Sequence, residues 1–241
     1  MEILADIPFS LDAAKLQERL HIEPDGSDAR EFRELLDQAC RLARPKALYA
    51  ECYVEERGHD TVTMQGVTFT SAGLRANLDG VHRVFPYVAT CGKEVDQIGL
   101  AAGDFLKQYW LETIKGDLLR CSIRHLNAHM DRKYAPGKAS TMNPGSGDVT
   151  VWPIEQQRLL FSLLGNVEDL IGVTLTDSFL MIPNKSVSGI RFPTDSDFRS
   201  CQLCHRENCP SRSAPFDQAM WESVQHGAER QHNQRGTGDG T

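Results

Sequence analysis

The chain is expected to fold as an α+β protein, with a twisted antiparallel sheet carrying helices on its face. Two observations predict this. Residues 47–54 and 61–64 are rich in β-branched and aromatic side chains and flank the polar connection Arg57-Gly58-His59-Asp60, which reads as a hairpin. Amphipathic helical stretches interrupt such strands without the regular strand–helix alternation of a parallel sheet. A chain of 241 residues can bury a substantial core.

Taken in order, residues 11–20 and 28–42 read as short helices, the second with Phe32, Leu35, Leu36, Ala39 and Leu42 at helical spacing and Pro45 ending it. After the first hairpin, residues 67–70 form a further short strand and Ser71 caps a brief helix. Residues 83–91 form another strand, closed by Gly92. Residues 93–130 are helical, broken near 99–103, where Asp104 caps a second helix. That helix carries Phe105, Leu106, Tyr109, Trp110, Ile114, Leu118, Ile123 and Leu126 at about 3.6-residue spacing, the pattern of a core face. His125 and His129 stand four apart on it without the acidic partner of a helical zinc motif, so they read as a solvated or core-edge pair.

Residues 134–140 read as a loop. Pro153 suits the first turn of the next helix, Glu155 favours its positive end, and Leu159, Leu160, Phe161, Leu163 and Leu164 form its buried face. Gly165 and Asn166 stop it, and residues 168–171 add a helical turn. Residues 178–181 and 186–192 are expected to pair as antiparallel strands around Pro183-Asn184-Lys185. The expected organisation is an α+β domain over residues 1–198, a cysteine-rich extension over 199–224 and a disordered polar tail over 225–241.

Composition narrows the partners. A net charge of −7 argues against general nucleic-acid binding, which needs a basic surface to neutralise phosphates. No apolar run is long enough to span a bilayer, and the first residues lack the basic start and apolar core of a signal peptide, so a cytoplasmic location is expected. The seven cysteines are then expected to stay reduced.

Two segments carry chemistry. Asn143, Pro144, Gly145, Ser146 and Gly147 form a glycine loop whose backbone amides are expected to be open to a ligand. The later turn adds the Lys185 cation and the hydroxyls of Ser186 and Ser188. The second segment is Cys201, Cys204 and Cys209. Two cysteines separated by two residues can grip one metal centre and a third can close on it, which suits an iron-sulfur cluster or zinc, with Arg206 and Arg212 offsetting thiolate charge. Cys40, Cys52 and Cys121 read as small core residues. Cys91 sits at a strand–helix junction before Gly92 and Lys93, where a thiol pKa can fall, although a structural thiol is the plainer reading.

The runs 144–148, 152–157, 171–183 and 185–189 together resemble the activation domain of vitamin B12-dependent methionine synthase, in particular its stand-alone relatives. The specific match covers residues 143–192, with a looser one up to Phe198 that leaves the cysteine segment outside. The resemblance implies a domain that binds S-adenosylmethionine and docks on a cobalamin-binding protein or domain of methionine synthase or a related corrinoid methyltransferase. There, one electron and a methyl group restore methylcobalamin. Pro144 and Gly145 match the family's ligand loop, and the turn from Lys185 to Gly189 matches its hairpin. The family has an arginine four residues before that loop glycine and a tyrosine just after it, and here these places hold Thr141 and Ser146. The family's acidic residue on the long helix falls near Arg120 or Arg124. A second reading stays open: a non-methylating corrinoid-protein partner whose cysteine-bound cluster or zinc serves electron delivery or docking.

Overall fold

The computed structural model describes residues 1–148, 150–209 and 212–224; the expected tail lies outside them. The elements follow the α+β expectation. β1 (Glu2–Leu4) was not anticipated. α1 (Ala13–Arg19) starts where the Asp12 side chain accepts the Lys15 amide, and α2 (Ser27–Leu42) buries Phe32, Leu35, Leu36 and Ala39 as its spacing required. The single strand expected over residues 47–54 is two, β2 (Lys46–Tyr49) and β3 (Cys52–Arg57), interrupted at Ala50 and Glu51. β4 (Thr61–Met64) and β5 (Val67–Thr70) complete a meander. The Ser71 hydroxyl caps α3 (Ala72–Asn77) by accepting the Leu74 amide, and β6 (Arg83–Thr90) follows.

Lys93–Gln97 is a 3-10 turn rather than the start of a long helix. Asp104 caps α4 (Phe105–Tyr134) by accepting the Lys107 amide. β7 (Ala139–Met142) occupies part of what reads as a loop. After a 3-10 turn at Ile154–Gln156 come α5 (Gln157–Leu163), α6 (Val167–Ile171), β8 (Thr174–Leu175), β9 (Met181–Ile182), β10 (Ser186–Pro193) and a 3-10 turn at Ser200–Leu203.

An eight-stranded sheet runs in the order β1-β2-β6-β3-β4-β5, with β10 paired to β6 and β7. The pairings β3–β4, β4–β5, β3–β6 and β7–β10 are antiparallel. The expected hairpin of residues 178–181 with 186–192 does not form. β9 pairs instead with β8, Thr174 facing Ile182, while β10 takes β7 as a partner with Ile190 opposite Met142. Pro183 has no amide proton to continue a ladder into the turn, which ends β9 there. Among the described residues no helix is long and apolar enough to cross a membrane.

The chain divides into two compact units, each drawn from three stretches of sequence. The first comprises Met1–Leu48, Val88–Ala135 and Asn166–Val187. Its core joins α1, α2 and α4 through Leu16, Phe32, Leu36, Ala39, Trp110, Ile114 and Leu118. Phe32 and Trp110 meet edge-to-face at 5.7 Å and 85°. Such a pair adds about 1 kcal/mol to the gain from burying the two rings. One part of the expected core face is wrong: Phe105, Leu106 and Tyr109 are 78%, 50% and 60% exposed. At about 100° per residue, Tyr109 and Phe105 lie roughly 100° and 140° around α4 from Trp110, away from the face that Trp110, Ile114 and Leu118 give to the core.

The second unit comprises Tyr49–Tyr87, Pro136–Gly165 and the chain from Ser188 onward. Val62, Met64, Phe69 and Leu74 are fully buried there, and Phe69 stacks edge-to-face on Trp152 at 5.9 Å. In α5 only part of the leucine-rich face is inside, with Leu160 buried and Leu159 36% exposed.

Candidate functional site

The expected ligand loop lies in the second unit, between β7 and the Ile154–Gln156 turn. Asn143 organises its start. Its side-chain amide donates to the Ser188 carbonyl at 2.6 Å and to the Tyr87 hydroxyl at 3.0 Å, so one neutral side chain ties the loop to two strands, β10 and β6. Gly189 is what lets them approach. A Cβ there would lie 2.5 Å from the Met142 carbonyl oxygen and closer still to the Asn143 side chain. Gly145 has φ +71°, and a Cβ would press on Ile154 at 2.8 Å.

The loop's amides are less open than expected. The Gly145 amide donates to the Trp152 carbonyl at 2.8 Å and the Ser146 amide to the Asn143 carbonyl at 3.1 Å. Ser188 is engaged too, its buried hydroxyl donating to Gln157 Oε1 at 2.7 Å. The glycines therefore serve packing and turn geometry at least as much as ligand access.

Lys185 and Ser186 belong to the first unit. The Lys185 ammonium lies 3.0 Å from Glu112, and Asn184 donates to the same carboxylate at 2.7 Å. Lys115, whose side chain is 6% exposed, reaches Glu112 at 2.9 Å and Asp96 at 2.8 Å. Partial burial pushes Glu112 upward, but hydrogen bonds from Lys115, Lys185 and Asn184 outweigh it and hold its pKa down at about 2. Ser186 shares a 2.9 Å hydrogen bond with Thr90, and the Lys185 carbonyl accepts the Cys91 amide at 3.0 Å. Burial pushes the Cys91 thiol up to about 12, the mark of a structural cysteine.

Glu112 is the hub of this group, and sequence reasoning did not single it out. The spacing of Glu112 and Lys115 on one helix was an available signal. A second missed residue is Arg191. It is 7% exposed and stands directly opposite Thr141 in the β7–β10 ladder. Directly opposed residues share a face of the sheet with Cβ atoms about 5 Å apart. Tyr87 senses this guanidinium: burial raises the tyrosine pKa, while hydrogen bonds from Asn143 and Thr141 and the charge of Arg191 pull against that rise. The half-buried Thr141 and Asn143 and the buried Tyr87 and Arg191 thus form one polar group with one cation among the four.

The cysteine segment packs on the loop within the second unit. Cys204 lies against Gly147, where a Cβ would meet its Cβ at 3.3 Å. His205 pairs with Asp148 at 3.5 Å and sits 4.2 Å from the Phe216 ring. The expected metal centre at Cys201, Cys204 and Cys209 finds no support: among the described residues no group of three or more His, Cys, Asp or Glu could hold a metal ion. The Arg212 guanidinium gathers this turn instead, donating to the carbonyls of Cys201, Cys204, Ala214 and Arg206. The Cys201 sulfur accepts from the Ser213 amide and hydroxyl at 3.4 Å each. Burial of this thiol raises its pKa, and those two donors together with Arg212 outweigh that and lower it. On α4, His129 is held at 2.9 Å by Glu2 of β1.

Residues 133–211 match the family model described as the activation domain of vitamin B12-dependent methionine synthase. The matched range includes all three cysteines of the 201–209 segment, which the sequence resemblance had left outside. Among solved structures, a crystal structure of the MetH reactivation domain bound to AdoHcy superposes with a TM-score of 0.54 at 18% identity, covering 79% of this chain and 72% of that one. No curated protein matches the sequence. The family model over residues 133–211 and the α+β fold shared with a MetH reactivation domain show the same resemblance, to the activation domain of vitamin B12-dependent methionine synthase.

Proposed function

We propose that this protein supports reactivation of a cobalamin-dependent methyltransferase such as methionine synthase by holding S-adenosylmethionine against the cobalamin of a partner protein. One electron from an external reductant reduces the partner's Co(II). The methyl carbon–sulfur bond of S-adenosylmethionine then breaks as the carbon bonds to cobalt, leaving S-adenosylhomocysteine. The protein's part is positioning, which converts an encounter of two molecules into a step within one complex.

The observation that carries this reading is Arg191. The family's arginine, suited to the methionine carboxylate, is replaced by Thr141, and Arg191 stands opposite that threonine on the neighbouring strand. Arg191 thus offers a cation on the strand paired with the one that carries Thr141. A guanidinium fork matches a carboxylate in geometry as well as charge. Asn143, Pro144, Gly145, Ser146, Gly147 and Ser188 shape the surrounding loop in this reading, while Lys185 and Ser186 act through the turn held by Glu112. The exposed Phe105, Leu106 and Tyr109 on α4 are apolar surface suited to a protein partner.

Titration with S-adenosylmethionine by calorimetry tests the reading. The protein is expected to bind it, and R191Q to lose about tenfold or more in affinity, since a charge-assisted hydrogen bond contributes about 1.5–3 kcal/mol. R191K, which keeps charge without the fork, is expected to fall between the two. Absence of heat from the unmodified protein at millimolar ligand would refute the methyl-donor role, and equal affinities in a folded R191Q would refute the assignment of Arg191. Restoration of methylation by an inactivated cobalamin enzyme, given reductant and S-adenosylmethionine, tests the activity itself.

A further inference from the structure

The first unit contains a cavity of about 480 Å³ between α1 and α4, outside the residues assigned above. This volume lies within the range of about 300–1,000 Å³ common for small-molecule sites. Its lining is strongly cationic: Lys15, Arg19, Arg120 and Arg124 face only Asp12 and Asp117, a surplus of two positive charges.

The pairing is uneven. Asp117 serves two guanidiniums at once, taking both Nη atoms of Arg19 at 3.2 and 2.9 Å and also Nη2 of Arg120. Asp12 is occupied by Lys15 at 3.3 Å and by capping α1. Arg124 donates to the Cys121 sulfur at 3.1 Å and has no carboxylate partner among the described residues. Partial burial, then the like charges of Arg19 and Arg124, push the Arg120 pKa down. Two guanidiniums that share one carboxylate, with a third beside them that has none, repel each other, and an entering anion relieves that repulsion.

Beside Ser10 and Cys121, the uncharged lining is aliphatic. Leu11, Leu16 and Ile123 contribute to the wall, with Leu16 fully inside the core. We propose that this cavity binds a small organic phosphate, with its phosphoryl dianion on Arg19, Arg120 and Arg124 and its apolar body against Leu11, Leu16 and Ile123. A dianion matches the surplus of two charges, and phosphoryl oxygens suit bidentate arginine. A simple carboxylate would neutralise half of it.

Calorimetry on the full chain at low ionic strength, with phenyl phosphate, inorganic phosphate and phenol as probes, tests the proposal. Phenyl phosphate is expected to bind at one site per chain, inorganic phosphate more weakly, and phenol not measurably. R124Q and R120Q, substitutions of exposed side chains, are each expected to weaken phenyl phosphate binding about tenfold. K107Q, on the same helix but outside the cavity, should leave it unchanged. Circular dichroism of each variant checks that it is folded. The proposal is overturned if phenyl phosphate gives no saturable heat, if R124Q and R120Q bind as the unmodified protein does, or if K107Q weakens binding equally. Equal affinity for inorganic phosphate would overturn the apolar half.

Discussion

At residues 143–147 the chain is held by neutral hydrogen bonds and by glycines that admit a neighbouring strand, whereas the side chains of Asn184 and Lys185 are held by a charged carboxylate. Asn143 reaches Ser188 and Tyr87 inside the second unit, and no ionised group is needed for either contact. In the first unit, Asn184 and Lys185 are fixed by the Glu112 carboxylate, which Lys115 shares. Buried neutral bonds are unforgiving of geometry and indifferent to pH. Half-exposed ionic bonds tolerate displacement but follow protonation and salt. Perturbing each region separately should therefore give different signatures, large and pH-independent for the loop, small and pH-dependent for the turn.

The largest effect is expected from G189A. The added methyl would overlap the Met142 carbonyl and the Asn143 side chain, so β7 and β10 must separate or the loop must move. Overpacking of this kind costs about 1–3 kcal/mol, and backbone as the obstacle places it at the upper end. Urea denaturation should show the loss at neutral and acidic pH alike. A midpoint matching that of the unmodified protein would mean that the strands do not approach as closely as the structure has them.

N143A comes next. It leaves the buried Tyr87 hydroxyl and Ser188 carbonyl short of one partner each, at a cost of about 1–3 kcal/mol. The loss should persist across the acidic range, since Asn143 does not titrate. A loss confined to low pH would show that the loop depends on charge after all.

What could be read from sequence follows the same division between local and distant causes. Ser71 and Asp104 as caps, and the Phe32–Leu36–Ala39 stripe of α2, depend on neighbours a few residues away and are found where expected. β7 is Ala139-Ser140-Thr141-Met142, too polar to announce a strand, and it is one because β10 offers it a ladder. Arg191 looks like an unremarkable strand position until the register places it opposite Thr141. Glu112 likewise reads as a solvated helix residue until the fold brings Asn184 and Lys185 to it. The cysteine spacing and Arg212 were legible, but not that its guanidinium takes the carbonyls of that turn. Phe105 and Tyr109 are apolar but stand on a different side of α4 from Trp110, Ile114 and Leu118, and both are exposed.

The smallest predicted effect is also the most diagnostic of the comparison. Glu112 has its folded-state pKa depressed from the ordinary 4.5 to about 2. A depressed carboxyl contributes stability that is fully present above its unfolded value and is lost as pH falls through the folded one. The unmodified protein should therefore lose this contribution progressively between about pH 4.5 and pH 2. E112Q keeps an oxygen for Asn184 but removes the charge that Lys115 and Lys185 meet. The difference between the two proteins should be constant above about pH 4.5 and shrink toward zero by about pH 2. Because the carboxylate is 38% exposed, solvent screening keeps the difference at neutral pH to about 1 kcal/mol or less. Lys115 retains Asp96 at 2.8 Å, so the variant does not leave that buried ammonium without a counter-charge. Added salt should reduce the difference further, while leaving the N143A loss in place. A difference between E112Q and the unmodified protein that ignores both pH and salt would place the turn under the same neutral packing that governs the loop.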